Sequence, residues 1–345
     1  MPPGYLREDE GACIFTLDRC EGPGYGRMMN ETDRILPGVA LMIAFCVIAP
    51  LIDVASKLAA QEVPVGVVTM GRFVVQAALM APIALWMGLR LGMTRRALGL
   101  TALRAFCGIG STYCFVAAVR VMPIADALAI VFVEPFIILL IGRLVLGEAV
   151  GPRRLWACVV GFVGALFVIQ PSFAAFGVIA LFPLGTALFF AIYMLVTRSL
   201  SRLVHPVAMQ LQTAVVAAAM CLPLLVLGAM TGVPSLLPEP PQGIFWLWVF
   251  CVGLAATVSH MAITYALKFA PSSTLAPLHY LEIVTACIFG YVFFQDFPDA
   301  LTWLGIAIIV ASGLFVIYRE RVIAAQERKA RSAGVFSATS ALPDP

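Results

Sequence analysis

The stretch "LAPLHYLEIVTACIFGYVFFQ", residues 275–295, is almost wholly apolar and yet contains two ionisable side chains. His279 and Glu282 stand three positions apart, so they project from nearby faces of one helix. An ionised residue at the centre of a membrane helix costs about 2.5–3.5 kcal/mol on insertion scales, and it therefore tends to face a cavity or a partner. The stretch predicts a membrane helix that borders a polar interior.

The rest of the chain has the composition of a membrane protein. Of its 345 residues, 61% are hydrophobic and 12% are charged, whereas soluble domains carry about 45–50% apolar and about 25% charged residues. We therefore expect an all-α integral membrane protein with the lipid bilayer as a partner. The net charge of +3, without a basic patch interleaved with aromatic residues, argues against nucleic acid as a partner.

Ten segments are long and apolar enough to cross a bilayer, whose hydrocarbon core needs roughly 20 helical residues. We predict ten transmembrane helices, over residues 36–59, 65–89, 98–120, 124–146, 155–171, 177–197, 207–229, 244–268, 272–294 and 301–318. Cytoplasmic loops are enriched in Lys and Arg. Because the basic residues of the short loops, except Arg120, fall on one side of this arrangement, we expect both termini to be cytoplasmic. The residues on that side are Arg90, Arg95, Arg96, Arg153, Arg154, Arg198, Arg202 and Lys268.

Polar tails flank the ten segments. Residues 1–35 are expected to form a disordered tail without a function, and translation from Met28 or Met29 is an alternative start. Residues 319–345 are expected to form a cytoplasmic tail that is first basic and then rich in Ser, Ala and Pro.

The chain repeats itself at a distance of 148 residues, since 111–169 aligns with 259–317 without a gap. The matched pairs include Pro123 with Pro271, Glu134 with Glu282, and Gly142 with Gly290. We predict two domains of five helices each, 36–171 and 177–318. Because five is odd, the second copy enters the membrane upside down, and inverted repeats are typical of secondary transporters with a substrate site near the bilayer midplane.

Two motifs carry a family resemblance. "MPIADALAIVFVEPFIILLIGRLVLGE" (122–148), followed by "GFVGALFVIQPS", resembles the EamA repeat of the drug/metabolite transporter superfamily, and so does its second copy over 270–317. The resemblance covers residues 36–318. It implies ten helices in two inverted five-helix repeats that move small metabolites, such as amino acids, across the bacterial inner membrane. The glycine–glutamate that usually ends the fourth helix of each repeat is kept as Gly147–Glu148. It is replaced by Gln295–Asp296 in the second copy, where we expect the acid to cap the next helix.

Glu134 and Glu282 lie near the middle of two predicted helices and are repeat mates, so they are expected to face one another across the pseudo-twofold axis. Three interpretations stay open for them. The carboxylates titrate during transport, they bind the amino group of a substrate, or they are packing residues that fix the helix geometry.

Other polar and aromatic side chains are candidates for the substrate or proton pathway. His279 forms with Glu282 a proton relay or substrate clamp, or it hydrogen-bonds a neighbouring helix. The same alternatives apply to His260, where the hydrogen bond is favoured. Arg72 neutralises Asp53 or Asp126, or holds a substrate carboxylate. The aromatic candidates are Phe132 and Tyr280, which are repeat mates, together with Phe106, Tyr113, Phe190, Tyr193 and Tyr265.

Two further basic residues have structural interpretations. Asp53 and Lys57 stand four positions apart and can pair. Arg104 lies nearer the cytoplasmic end of its helix, where a long side chain can snorkel to the interface.

We therefore predict a secondary transporter that works by alternating access on a small amphipathic metabolite. An amino acid or its derivative is favoured, and a vitamin or a nucleoside-like compound such as S-adenosylmethionine is the alternative. A non-transporting scaffold or receptor is the alternative from another class. The absence of HExxH, GxSxG and Walker motifs argues against an enzyme or an ATP-driven pump, and no cofactor or metal is expected. Proton coupling and a homodimer stay open.

Overall fold

The structure is a computed structural model that describes residues 35–89, 91–145, 152–168, 176–295 and parts of 300–322. All regular structure in these ranges is helical. The first half has α1 (Ile35–Ala59), α2 (Val65–Trp86), α3 (Arg95–Val119), α4 (Ile124–Val131), α5 (Glu134–Val145) and α6 (Pro152–Val168). The second half has α7 (Leu181–Leu200), α8 (Pro206–Thr231), α9 (Phe245–Phe269), α10 (Ser272–Leu275) and α11 (Glu282–Phe294), with 3-10 turns at Gly177–Ala180, Pro234–Leu236 and Ala276–Leu281. Residues 1–34, Gly147–Glu148, Asp296 and the predicted C-terminal tail apart from Val322 lie outside the described residues.

Six of the described helices are long and apolar enough to cross a membrane. They span Ile35–Ala59, Val65–Trp86, Arg95–Val119, Gly177–Leu200, Pro206–Thr231 and Phe245–Phe269. Shorter apolar helices occupy Leu155–Gly164, Glu282–Phe294 and Trp303–Ser312. The prediction of a multi-pass all-α membrane protein is confirmed, and these six helices coincide with six of the ten predicted spans.

The predicted continuous helices over 124–146 and 272–294 are wrong, because both are interrupted near the middle. Helix α4 ends at Val131 and α5 starts at Glu134. In the second copy, a 3-10 segment separates α10 from α11, which starts at Glu282. Proline explains both breaks, since it has no N–H for the carbonyl four residues earlier. Pro135 follows the first break, and Pro277 lies inside the second.

The two halves pack into each other along repeat-related helices. Helix α1 packs along α9. Helix α7, which corresponds to α1 after the 148-residue shift, packs along α3. Helix α2 packs on α8, its own counterpart, and also on α9. The polar side chains of the central helices therefore meet partners from the other half.

Two glycines let α2 and α9 approach closely. A Cβ at Gly253 would meet the Val75 side chain at 2.6 Å from Cγ1 and the Arg72 carbonyl oxygen at 3.1 Å, and one at Gly71 would meet Val249. Small residues at helix contacts are the usual means by which membrane helices pack tightly. The close contact brings the Arg72 segment of α2 against the α9 segment that carries His260.

Candidate functional site

A cavity of about 80 Å³ lies between α1, α2, α3, α4, α7 and α9. It contains one guanidinium and one carboxylate among otherwise apolar, aromatic and hydroxyl groups. The residues that line it are Phe45, Ala49, Ile52, Asp53, Ser56, Arg72, Ser111, Thr112, Phe115, Val116, Leu128, Val131, Thr186, Phe190 and His260. Arg72 and His260, two of the predicted pathway residues, therefore share one cavity.

Arg72 is held by neutral partners. It is 7% exposed. Its Nη1 donates to the Thr112 hydroxyl, and its Nη2 lies 2.8 Å from His260 Nε2. Its buried Nε has no hydrogen-bond partner within the described residues. Asp53 lines the same cavity as Arg72, and its neutralisation of Arg72, like that by Asp126, stays a prediction.

His260 connects two arginine-centred clusters. Because a guanidinium can only donate, Nε2 must accept from Arg72, and the ring hydrogen then lies on Nδ1. That hydrogen points to the Tyr193 hydroxyl, 2.9 Å away. The arrangement fixes the tautomer of His260 and orients the ring.

Arg104 is completely buried, so the prediction that it snorkels to the interface is wrong. Its guanidinium carbon lies 4.3 Å from the centre of the Tyr193 ring, in the geometry of a cation–π contact. The other partners are oxygen atoms of α7, α8 and α9, which accept hydrogen bonds from all three guanidinium nitrogens. These acceptors are Thr213 at 2.6 Å, Thr197 at 2.7 Å, the Tyr193 hydroxyl at 2.5 Å, Gln210 at 3.3 Å and Thr264 at 3.5 Å.

Asp53 lies in the cavity wall, and one of its carboxylate oxygens has no hydrogen-bond partner among the described residues. It is 8% exposed, and its Oδ2 accepts no hydrogen bond from any described residue. The Lys57 Nζ lies 4.6 Å from the centre of the Phe294 ring, and the pair with Asp53 stays a prediction. A buried carboxylate without a partner is costly, so Asp53 is a candidate for binding a ligand or a proton.

A group of stacked aromatic rings, here called the aromatic wall, borders the cavity through Phe45 and Phe190. Phe45, Phe190 and His279 stack nearly parallel, with centroid distances of 5.2 Å for Phe45–His279 and 5.9 Å for Phe190–His279. Tyr193 continues the stack at 5.6 Å from Phe190. His260 meets Phe45, Phe190 and Tyr193 edge-on, with interplanar angles of 73° to 78°. Phe45, Phe190 and His260 are the members of this group that line the cavity together with Arg72.

His279 pairs with Glu134, not with the neighbouring Glu282. Its Nδ1 lies 3.1 Å from Glu134 Oε2, and both side chains are almost fully buried. The second atoms of the pair, Glu134 Oε1 and His279 Nε2, have no partner within the described residues. Glu134 opens α5 of the first repeat, and His279 lies in the 3-10 segment of the second, so the pair joins the two broken helices.

The remaining predicted residues lie farther from the cavity. Glu282 is half-buried and opens α11, next to the N-terminal end of the helix dipole. Phe132 is buried in an apolar cluster with Ile130 and Ile283. The side chain of Tyr280 lies outside the described residues. Of the other aromatic candidates, only Phe190 and Tyr193 belong to the wall. Phe106 meets Phe189 edge-on, Tyr113 donates a hydrogen bond to Ser235, and Tyr265 contacts His205 edge-on.

Sequence reasoning missed several residues of this site. Phe45, Thr112 and Gln210 carry no charge or motif that separates them from ordinary membrane residues. Gln210 bonds Gln76 at 2.9 Å, and both amides stand within apolar segments. Their intramembrane position was a usable signal, since polar side chains in a bilayer usually face the bundle interior.

The arrangement suits binding better than bond-making chemistry. A fixed guanidinium, an unpartnered carboxylate and an aromatic wall share one cavity inside a helical membrane bundle. Such sites hold ligands through a few placed polar groups on an apolar surface. In the described part of the chain, no cluster of three or more His, Cys, Asp or Glu side chains is placed to bind a metal.

These features define a multi-pass helical membrane protein with a polar cavity in its interior. The model of the EamA-like transporter family matches residues 36–170 and 176–318, and the chain belongs to this family. A solved crystal structure of another protein has the same fold, with a TM-score of 0.64, 18% identity, and coverage of 84% of this chain and 98% of that one.

Several relatives are transporters of known cargo. A riboflavin transporter of Rhizobium johnstonii is 32% identical over 208 residues, 60% of this chain and 66% of that protein. The pseudopaline exporter CntI of Pseudomonas aeruginosa strain UCBPP-PA14 is 27% identical over 64% of this chain and 75% of its own. The S-adenosylmethionine uptake transporter of Rickettsia prowazekii is 25% identical over 85% of this chain and 97% of its own. The chain spans just under two thirds of the length of the first of these relatives.

Proposed function

We propose that this protein is a secondary transporter of a small metabolite with a flat heteroaromatic ring, with riboflavin as the first candidate. The observation that carries the proposal is the cavity in which Phe45 and Phe190 stack beside Arg72 and Asp53. A flat ring fills the space against an aromatic wall, and the two polar groups orient it. The similarity to a riboflavin transporter supports this choice.

S-adenosylmethionine is the second candidate, because it also carries a flat heterocycle and a relative takes it up. The amino-acid substrate favoured by the sequence gains no support from the relatives and ranks third. Arg72 and His260 are proposed to contact the substrate directly. Glu134, His279, Glu282, Phe132 and Tyr280 are proposed to line the pathway that opens when the halves move.

The transport cycle is proposed to rock two inverted five-helix halves, 36–171 and 177–318, in the bacterial inner membrane with both termini cytoplasmic. Ten crossings follow if the broken fourth helix of each half still spans the bilayer. Discontinuous helices at a substrate site recur among secondary transporters, and Glu134 and Glu282 begin the second part of each broken helix.

Proton coupling is proposed to use the Glu134–His279 pair. The pair joins the halves and has one unpartnered atom on each side chain, so a change of protonation alters a contact between moving parts. Glu282→Gln and Glu134→Gln are both expected to allow insertion and to weaken or uncouple transport.

The test is transport by the full chain in proteoliposomes. Labelled riboflavin, S-adenosylmethionine and a mixture of amino acids are offered at pH 6 and pH 7.5, with and without a pH gradient. Riboflavin uptake that falls at least tenfold in Arg72→Gln, and stays unchanged in the exposed control Arg96→Gln, supports the proposal. A folded wild-type protein that moves none of these compounds would favour the scaffold or receptor. Uptake of the same size with and without the gradient would remove proton coupling alone.

A further inference from the structure

We infer that Asp53 and Arg72 together recognise the edge of a heterocycle on which an N–H donor adjoins a carbonyl acceptor, as in a cyclic imide or lactam. This inference rests on the proposed function and names the chemical group by which the substrate is selected. Asp53 accepts the ring N–H, and Arg72 donates to the adjacent carbonyl oxygen.

Asp53 supplies a hydrogen-bond acceptor, Oδ2, that receives no hydrogen bond from the described residues. Its carboxylate is more than nine-tenths buried, lines the cavity and leaves Oδ2 without a partner in the described structure. An unsatisfied buried acceptor costs more than one that is paired, so a ligand that brings an N–H to Asp53 removes this cost.

Arg72 supplies the matching donors. Its side chain is also more than nine-tenths buried and lines the same cavity. Thr112 and His260 each bind one nitrogen and fix the plane of the guanidinium. A guanidinium has five N–H donors, and the Nε–H has no partner within the described residues. A carbonyl oxygen is a suitable acceptor for the donors that remain.

The α1 helix places the carboxylate and the aromatic wall on one face. Phe45, Ala49 and Asp53 follow each other at intervals of four residues, so they lie in a row along the helix. Eight residues of helix extend about 12 Å, and the small Ala49 side chain leaves the space between the two ends open. A flat ring that lies over Ala49 contacts Phe45 at one end while its edge reaches Asp53.

The charge of the cavity favours a neutral ligand over an ion. Asp53 and Arg72 are the charged residues among those that line the cavity, and their formal charges cancel. A neutral edge with one donor and one acceptor satisfies both groups and adds no net charge to a buried site, where an uncompensated charge is expensive. A cationic ligand would satisfy Asp53 but would leave Arg72 with a positive neighbour.

The test compares riboflavin with N3-methylriboflavin, in which a methyl group replaces the imide hydrogen. Binding to the purified full chain is measured by quenching of flavin fluorescence. Wild-type protein is expected to bind riboflavin at least about tenfold more tightly than the methylated compound, the effect of one charge-assisted hydrogen bond. In Asp53→Ala, riboflavin affinity falls by about the same factor and the preference disappears. The exposed control Glu62→Gln keeps both affinities.

The outcomes separate this inference from the proposed function. Equal binding of the two flavins by wild-type protein overturns the imide recognition, and so does an equal loss of both in Asp53→Ala. S-adenosylmethionine binding without riboflavin binding would also overturn it while the transporter proposal stands. If Asp53→Ala fails to fold, Asp53→Asn is used, and a reduced preference is expected because a neutral acceptor replaces a charged one.

Discussion

Arg104 places a positive charge in a fully buried position and satisfies it without an ion pair. Hydroxyl and amide oxygens from three helices surround it, and the Tyr193 ring covers one face. The guanidinium is more weakly hydrated than an ammonium and has a rigid fork of donors, which suits it to such a site. The same Tyr193 hydroxyl accepts from Arg104 and contacts His260, so this cluster supports the ring beside the cavity.

The stability of the helix bundle is expected to depend on the hydrogen bonds of the Arg104 guanidinium. Arg104→Lys keeps the charge but cannot reach Thr197, Thr213 and Tyr193 together, so several buried acceptors lose a charged donor. Each such hydrogen bond contributes about 1.5–3 kcal/mol, and we expect the free energy of unfolding to fall by at least about 3 kcal/mol. Unfolding in mixed detergent micelles measures it. Arg96→Lys, on the exposed part of the same helix, is the control. A loss no larger than in the control would refute the role of Arg104.

The two copies of the repeat differ in the residue that follows their fourth helix. Gln295 caps the C-terminal end of α11 and is the non-glycine residue with positive φ among those described, at φ 59° and ψ 21°. In the first copy the matching residue is Gly147. Left-handed backbone at a helix end favours glycine, because a Cβ crowds the following carbonyl oxygen.

Restoring the glycine is expected to stabilise the second copy. Gln295→Gly removes the strain of a side chain in the left-handed region, and we expect the free energy of unfolding to rise by about 1 kcal/mol. A thermal melt of the purified protein measures the change. An exposed glutamine away from a helix end, Gln61→Gly in the α1–α2 turn, should show no such gain. A lowered melting temperature in Gln295→Gly would contradict the inference that the backbone at Gln295 is strained.

The start of α8 contains a titratable cap outside the membrane-spanning segments. The His205 Nδ1 accepts from the Val207 N–H at 3.4 Å. Partial burial lowers the pKa of His205, and the nearby charge of Lys268 lowers it further. A protonated ring could not accept this hydrogen bond, and the helix dipole also disfavours a cation at this end.

Acid is therefore expected to weaken this helix start. Because the pKa is lower in the folded than in the unfolded protein, the unfolded chain binds more protons as the pH falls below about 6.5, and stability is lost there. His205→Asn keeps a cap that does not titrate. We expect the two proteins to melt alike at pH 8 and the variant to melt higher at pH 5.5. A constant difference across pH would show that His205 does not titrate in this way.

Across the whole molecule, the site exists because the halves approach closely. Arg72 and His260 come from α2 and α9, which meet where Gly71 and Gly253 remove side chains from the contact. The Glu134–His279 pair also joins the two halves, since each residue belongs to the broken helix of one half. Rocking of one half against the other, as proposed for transport, must preserve or exchange these contacts.

Widening the α2–α9 contact is expected to disable binding before it prevents insertion. The Cβ of Gly253→Ala would lie against the Val75 side chain and 3.1 Å from the Arg72 carbonyl oxygen. Overpacking of this kind costs about 1–3 kcal/mol, and it moves Arg72 away from His260. We expect a lower melting temperature and at least tenfold weaker flavin binding. Gly99→Ala, where a Cβ meets open space on α3, should bind normally and melt unchanged or slightly higher.

The sequence by itself determined the membrane class, the repeat, the family resemblance and most of the intramembrane polar residues. Hydrophobic length and residue identity are local properties, so they can be read along the chain. It did not determine which polar side chains meet. Arg72 and His260 are 188 positions apart, and Glu134 and His279 are 145 positions apart. The breaks in the fourth helices had a local signal in Pro135 and Pro277, but their consequence depends on packing. Only the tertiary structure decided the partners, because they depend on how helices distant in the chain cross and rotate against each other.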